Sequence, residues 1–523
     1  MFHSTHCFAP LPTPHEMSVW DKEAQAIGIH GLVLMENAAR AAVDALLRLA
    51  PRIKTMQCAA LVGSGNNGGD AVAMARILFD MGVPVTLYCL KDAPNVSAAC
   101  ASQLAIAEKL AIPKKTIDCV LDDAPKVLLD GLVGTGLTKD LRPDLAYRID
   151  AINKRGIPLV VAIDIPSGLN GTSGKPQPVA IAAKLTICME AIKLGLEQPY
   201  AKPWVGRTLA VPIGIPKAVQ TVYPASAYLL KKTIANVEAH YPNNSHKKTF
   251  GSIAILGGAQ HPGAAHLAAR ASLRMGAGLV TCVAPKAMLG AIYGNLPELM
   301  LHPVQDTDWP KNAQDALDLN AYSCLVVGPG MGMSDNALSF IESLLSADNR
   351  PPCIVDADAL SLLARAPKLM AKLTDQDIIT PHPGEAARLL SLSNSDVQDN
   401  RPLALRSLCA LNKGVVILKG AKTLIGQGNG PMLVSPWDLP KLAIAGAGDV
   451  LSGLLAALSA QRAYLSLEDI PAPLSALLVA AVGVMRHSAA AKRLAEDFPL
   501  RGMTASMLAD ALPMDCAQRK KDR

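Results

Sequence analysis

Short apolar runs separated by longer stretches of mixed polarity recur along the whole chain. Runs of that length suit buried strands, and the stretches between them suit amphipathic helices, so the pattern predicts α/β layering around parallel sheets. In the first half the expected strands are 58–62, 85–88, 127–129, 159–163 and 185–187; in the second they include 252–256, 279–283, 324–327, 353–355, 378–380 and 415–419. A polar stretch at 233–248, with Pro242, Asn243 and Asn244, reads as a linker, and 212–216 fits the end of the first core. The expected domains are therefore 1–225 and 226–523, and no repeat at a short fixed period is visible. Two longer apolar segments, 450–460 and 474–485, fall short of the ~20 residues of a spanning helix, so both are expected to be core helices.

Composition narrows the partners. Lys plus Arg is 50 against Asp plus Glu 44, and the basic run at 519–523 reads as a solvated end. Aromatic residues are 4% of the chain, which weakens base stacking; no nucleic acid or membrane is expected. The 11 cysteines form no CxxC pair, against a disulfide framework or a structural zinc site. The first residues, among them His3 and His6, show no basic-then-apolar leader pattern. A reducing, cytoplasmic setting is expected, and the sequence leaves self-association open.

Three glycine-rich, acid-bearing loops follow strands in the first half: VGSGNNGGD at 62–70, LLDGLVGTGL at 128–137 and AIDIPSGLNGTSG at 162–174. Ligands of open α/β sheets bind beside strand C-terminal ends. The first loop matches GxGxxG through Gly63, Gly65 and Gly68, with the helix expected from Ala71. The acid a dinucleotide fingerprint needs is poorly placed, since Lys91 and Asp92 come late, so a dehydrogenase is the weakest reading. Asn66, Asn67 and Asp70 instead add oxygens suited to a cation or a sugar hydroxyl. Taken singly, each of the three acids is more often a helix cap.

With Met35-Glu36-Asn37-Ala38-Ala39 and Lys193-Leu194-Gly195-Leu196, these loops resemble the NAD(P)H-hydrate epimerase domain over roughly 15–222. The resemblance implies a Rossmann-like three-layer α/β/α domain that interconverts the C6 epimers of hydrated NADH or NADPH. It implies a potassium ion held by Asn67, Asp130 and Ser167. The hydrate contacts it implies are Asn66, Asn67, Gly68, Gly69, Asp70, Gly134, Thr135, Gly136, Leu137, Thr138, Lys139, Asp140 and Asp164. The ring nitrogen can expel the hydroxyl beside it, and readdition on the other face inverts the centre. That step needs an acid/base group, assigned to Asp164, with Lys193 as the weaker candidate and a surface lysine the equal alternative.

The most informative stretch lies in the second half. AIAGAGDVLSG at 443–453 is a glycine-rich turn that ends in Asp449 and opens an apolar helix. A helix N-terminus offers unpaired N–H groups and partial positive charge to a phosphate. A carboxylate there repels phosphate, but it serves if it handles a hydroxyl while the N–H groups hold the phosphoryl group under attack. The plainer alternative is an acid that only complements the helix dipole.

Neither GxxxxGK[ST] nor the HRD and DFG set of protein kinases occurs. What does occur, in order, is Gly257-Gly258 before His261-Pro262-Gly263-Ala264-Ala265, then Gly328-Pro329-Gly330-Met331-Gly332, Asp356-Ala357-Asp358, Thr380-Pro381-His382-Pro383-Gly384-Glu385, Lys419-Gly420-Ala421-Lys422-Thr423 and Gly448-Asp449. His382 could touch substrate or only open a helix; Asp356 and Asp358 could face a magnesium-bound phosphate or act as caps.

This order resembles the ADP-dependent (S)-NAD(P)H-hydrate dehydratases, of ribokinase-like α/β/α fold, over about 232–512. The resemblance implies that Ala264, Gly332, His382 and Asp449 contact the hydrate, and that Lys419, Gly420, Ala421, Lys422, Thr423 and Gly448 contact the adenine nucleotide, with Mg²⁺ and ADP as the phosphoryl donor. Asp449 would deprotonate the C6 hydroxyl, which takes the phosphoryl group and then leaves as phosphate. Two segments depart from the family pattern: Lys248 stands where glycine is usual, and Trp437-Asp438-Leu439-Pro440 precedes the GAGD turn. The expected whole is a bifunctional repair enzyme. The competing readings are a small-molecule alcohol kinase with an accessory dinucleotide-binding module, and a first half that senses dinucleotides without catalysis.

Overall fold

The computed structural model describes residues 6–90 and 96–513, so His3, Lys91, Asp92 and the basic run at 519–523 lie outside the described residues. The chain divides into two compact units, Pro10–Tyr228 and a second comprising Leu229 onward with the residues up to Ala9.

The first unit is built on seven parallel strands. Across the sheet they run Lys114–Thr116, Val85–Cys89, Cys58–Val62, Val127–Gly131, Leu159–Ile163, Leu185–Met189 and Arg207–Val211. Cys58–Val62, Val127–Gly131 and Leu185–Met189 are buried at every position, as strands covered on both faces must be. Chain order reverses between Cys58–Val62 and Val127–Gly131, where Leu61 pairs with Asp130 and Val62 with Gly131. That reversal leaves a crevice at the strand ends, where two of the glycine-rich loops emerge.

The helix expected from Ala71 begins earlier, at Asn66, and runs to Asp80. Gly65 in extended conformation starts it, and its first turn packs tightly: a Cβ on Gly68 would fall 2.0 Å from the carbonyl oxygen of Gly63. The NNGGD motif is thus a helix N-terminus and not a free loop. Poor helix formers are tolerated there because close backbone approach outweighs propensity.

The second unit carries an eleven-stranded sheet. Seven strands are parallel, in the order Val415–Leu418, Ile378–Ile379, Cys353–Val355, Cys324–Val327, Ser252–Leu256, Leu279–Ala284 and Met300–Pro303. Leu424–Gln427 and Met432–Val434 add antiparallel strands, followed by Ala227–Leu230 and Phe8–Pro10. Both long apolar segments are core helices, Ala447–Gln461 and Ala476–Asp497, and no helix among the described residues is long and apolar enough to cross a membrane. Helix Ala447–Gln461 lies against helix Pro262–Arg274 so closely that a Cβ on Gly453 would sit 2.0 Å from the carbonyl oxygen of Ala268.

The stretch at 233–248 is not a free connector. Ile234 and Ala235 are buried in a short turn, and Glu238–Ala239 pairs with Leu465–Ser466. Its polar composition reports the exposure of Pro242, Asn243 and Asn244, not an absence of structure.

Candidate active sites

In the first unit, the strand-end loops converge on Asp130. Its carboxylate is fully buried and accepts hydrogen bonds from Ser167 Oγ (2.5 Å), Ser167 N (2.8 Å) and Leu132 N (3.3 Å). Burial still pushes its carboxyl up to about 6, the three donors offsetting part of the desolvation. The Ser167 hydroxyl also meets both backbone groups of Val133.

Asn67 stands beside this cluster. Its backbone oxygen lies 2.7 Å from where a Cβ on Gly131 would be, and its own Cβ lies 3.1 Å from where one on Gly134 would be. The side chain is buried, yet neither Oδ1 nor Nδ2 has a hydrogen-bond partner. A buried orphan amide costs on the order of 1–3 kcal/mol, which a ligand could offset.

Asp164 follows strand Leu159–Ile163 in a left-handed backbone conformation, φ +67°. Its Oδ1 accepts from Met189 N at 2.8 Å and pairs with Lys193. The surface alternative for Lys193 is corrected here: the residue is only 1% exposed, and Nζ also donates to the carbonyl oxygen of Met189 at 3.0 Å. Asp70, on the new helix's first turns, has its carboxyl pushed well up by burial and then by the negative charge of Asp164. Gly68 and Gly69 are buried beneath it, Asn66 is exposed, and Gly134, Thr135, Gly136, Leu137, Thr138, Lys139 and Asp140 form a half-buried to exposed loop anchored where Leu137 packs on the core.

In the second unit the site is a cavity of about 680 Å³ at the ends of strands Cys353–Val355, Ile378–Ile379 and Val415–Leu418. Asp449, third residue of helix Ala447–Gln461, lines it. The N–H groups of Gly448 and Asp449 have no residue four back within the helix to bond to. The helix can begin here because Gly446 takes φ +85°, with Leu267 Cδ1 2.4 Å from where a Cβ would stand.

Charge around Asp449 is dense. Lys419 Nζ bonds Asp356 Oδ1 at 2.8 Å and lies 3.8 Å from Glu385 Oε2. Asp356 is fully buried, and its other oxygen accepts from Ser452 Oγ at 2.8 Å. Burial, and then the negative charge of Asp356, push the Asp449 carboxyl up to about 7, with Lys419 opposing them. Glu385 is likewise raised to about 7, first by burial.

His382 opens a helix and also lines the cavity. Its Nδ1 accepts from Gly384 N (3.0 Å) and Glu385 N (3.3 Å), which caps helix Pro383–Leu390. Burial, and then the nearby Lys419, lower its pKa, and Nδ1, which accepts those two N–H groups, leaves Nε2 as the ring's donor position. Asp358 accepts from Gly332 N at 2.9 Å.

Of the expected contacts, His382, Lys419, Gly420, Ala421, Thr423, Gly448 and Asp449 line this cavity. Lys422 does not: it turns away at φ +52° and gives its ammonium to the carbonyl oxygen of Pro436. Ala264 and Gly332 also lie outside the lining. The departing segment Trp437-Asp438-Leu439-Pro440 forms part of the wall. Two residues were not anticipated, Ser452 and His487. His487 meets the carbonyl oxygen of Ala447 at 3.0 Å and is held neutral, its pKa lowered to about 4 by burial. Each is recognisable only once the helix is placed.

Two α/β units, one with the buried, hydrogen-bonded Asp130 where its strand order reverses and the other with a raised carboxyl at a helix N-terminus, define a two-site enzyme. A family model described as NAD(P)H-hydrate dehydratase matches residues 253–514, and one described as YjeF-related protein N-terminus matches 31–195. The bifunctional NAD(P)H-hydrate repair enzyme Nnr of Coxiella burnetii is 35% identical over 92% of this chain and 94% of that protein. Its namesake from Escherichia coli K12 is 31% identical over 96% and 94%. The chain belongs to the family of bifunctional NAD(P)H-hydrate repair enzymes. Among solved structures, the ADP/ATP-dependent NAD(P)H-hydrate dehydratase from Bacillus subtilis is 27% identical and covers 54% of this chain and 94% of that one, with a TM-score of 0.43.

Proposed function

We propose that the first unit epimerises hydrated NADH and NADPH at C6, and that the second dehydrates the S epimer with ADP as phosphoryl donor, releasing AMP and phosphate. The observation that carries this is Asp449. A carboxyl raised to about 7 at a helix N-terminus, in a cavity with Lys419, suits a base that deprotonates an alcohol beside bound phosphate.

In the dehydratase step, Asp449 takes the proton from the C6 hydroxyl as that oxygen attacks the terminal phosphoryl group. The N–H groups of Gly448 and Asp449 face the charge that develops there, and Lys419 adds positive charge. Mg²⁺ enters with the nucleotide as part of the substrate. Gly420, Ala421 and Thr423 bring the strand-end backbone to the nucleotide, and His382 presents Nε2–H toward the hydrate. Phosphate then leaves from C6 as the ring nitrogen's lone pair forms a C6=N bond, and loss of a proton from C5 to solvent forms the C5=C6 bond that restores the dihydronicotinamide.

In the epimerase step, Asp164 exchanges the proton with the C6 oxygen as it leaves and returns. Asn67, Asp130 and Ser167 fit a potassium ion: an orphan amide oxygen, a buried carboxylate and a hydroxyl supply oxygen donors. The ion would offset the buried charge of Asp130 and order the loops. We place the protein in the cytoplasm, where reduced coenzymes are made and damaged.

The test uses separated R and S hydrates with the full chain. The S epimer should regain reduced-coenzyme absorbance only with ADP and Mg²⁺; the R epimer should do so only after exchange, which Asp164→Ala removes. A stable phosphorylated product would favour an alcohol kinase instead.

A further inference from the structure

Lys193 is a flexible cation placed where lysines are seldom found, 1% exposed after strand Leu185–Met189 and before the turn Leu194–Glu197. Met189 is gripped twice. Its carbonyl oxygen accepts from Lys193 Nζ, and its N–H donates to Oδ1 of Asp164, which Lys193 also contacts. Asp164 holds a left-handed backbone, which is strained for a non-glycine residue, and its N–H to Ile187 O at 2.7 Å fixes it there. The result is asymmetric: Oδ1 is fully engaged, while Oδ2 takes no hydrogen bond among the described residues.

We propose that Lys193 is a positioning residue of the epimerase: with Met189 it locks one oxygen of Asp164, so that Oδ2 alone meets the C6 hydroxyl of the hydrated nicotinamide. This rests on the epimerase reading above. In the step served, the C6–O bond breaks as the ring-nitrogen lone pair forms a C6=N bond. The departing hydroxide takes a proton held on Oδ2 and becomes water. Water then adds to the opposite face of C6, the π electrons return to nitrogen, and the proton goes back to Oδ2. No atom or electron is gained or lost.

Other groups face this pair. Asp70 comes from helix Asn66–Asp80, with Asp21 of helix Pro14–Ala26 acting on Asp70 in turn, and Cys188 comes from the preceding strand, where Glu197 of the following turn acts on it. Burial raises the Cys188 thiol to about 12, so it carries no charge near neutrality.

The test compares Lys193→Met and Lys193→Arg in the full chain. Epimer exchange is followed by chromatographic separation of the epimers, and dehydration of pure S hydrate serves as the internal measure of folding. Lys193→Met should lower the exchange kcat by about a hundredfold, within the range of a misplaced acid/base group, with KM changed less than about threefold. Dehydration of the S hydrate should stay at the parent rate. Lys193→Arg should recover an intermediate exchange kcat, which is the deciding measurement if Lys193→Met loses dehydration as well. Parent exchange kcat in Lys193→Met, a KM that rises in step with the loss of kcat, or an Arg variant as slow as the Met variant would overturn the proposal. A parent protein that exchanges no epimers would instead overturn the epimerase reading.

Discussion

Ser452 donates its hydroxyl to Oδ2 of Asp356 at 2.8 Å, and this contact ties the helix that carries Asp449 to the strand end that carries Lys419's partner. Ser452 lies three residues past Asp449, on the same helical face. The bond therefore fixes where Asp449 stands relative to the buried ion pair.

Removing it should show in both stability and rate. Ser452→Ala leaves one oxygen of a buried carboxylate short of a donor, which costs about 1–3 kcal/mol. Thermal unfolding should report that loss. Steady-state kinetics should show dehydratase kcat falling with little change in epimer exchange.

Gly448→Ala separates folding from function. Gly448 is the second residue of its helix, and alanine there narrows the freedom of the unfolded chain, worth about 0.4–1 kcal/mol. Yet its Cβ would stand 3.3 Å from Lys419 Nζ and 3.6 Å from Asp356 Oδ2, on the face proposed above for phosphate. Tm should hold or rise, and KM for ADP should increase at least tenfold.

The pH dependence follows from Asp449. Its carboxyl near 7 must be ionised to act as base, so the dehydratase rate should climb through neutrality and fall about thirtyfold from its plateau by pH 5.5. The linked stability effect has the opposite sense. A pKa raised above the unfolded value of 3.8 means that the folded chain binds this proton more tightly, so the contribution is present below about pH 4 and lost as pH rises through about 7. Asp449→Asn should therefore abolish dehydration and raise Tm at pH 8, with a smaller rise at pH 5.

Potassium should matter to one activity more than the other. Asn67→Ala removes the orphan amide beside Asp130. Epimer exchange in the parent should depend on K⁺ and fail with Li⁺, and the variant should lose both the rate and the dependence. A parent rate indifferent to the cation would argue against this ion site.

The strands and strand-end acids were legible because burial on both faces demands unbroken apolar runs, and sharp exits at Asp130, Asp164 and Asp356 demand glycine or acid nearby. What could not be read was pairing across the chain. Asp356 and Ser452 are 96 residues apart, and nothing local marks either as the other's partner. Lys193 had equal claim to the surface, because its burial depends on Asp164 being folded against strand Leu185–Met189. The helix start at Asn66 was hidden by poor helix formers whose role is close packing, and the outward turn of Lys422 needs a left-handed backbone that no motif signals.

The most direct measurement follows the C6 oxygen. S hydrate carrying a heavy-oxygen isotope at C6 is turned over with ADP and Mg²⁺ by the Asp164→Ala protein, so that epimer exchange cannot wash the label out. If Asp449 activates that hydroxyl to attack the phosphoryl group, the label ends in inorganic phosphate, one atom per reduced coenzyme restored. Label recovered in water, with unlabelled phosphate, would contradict it.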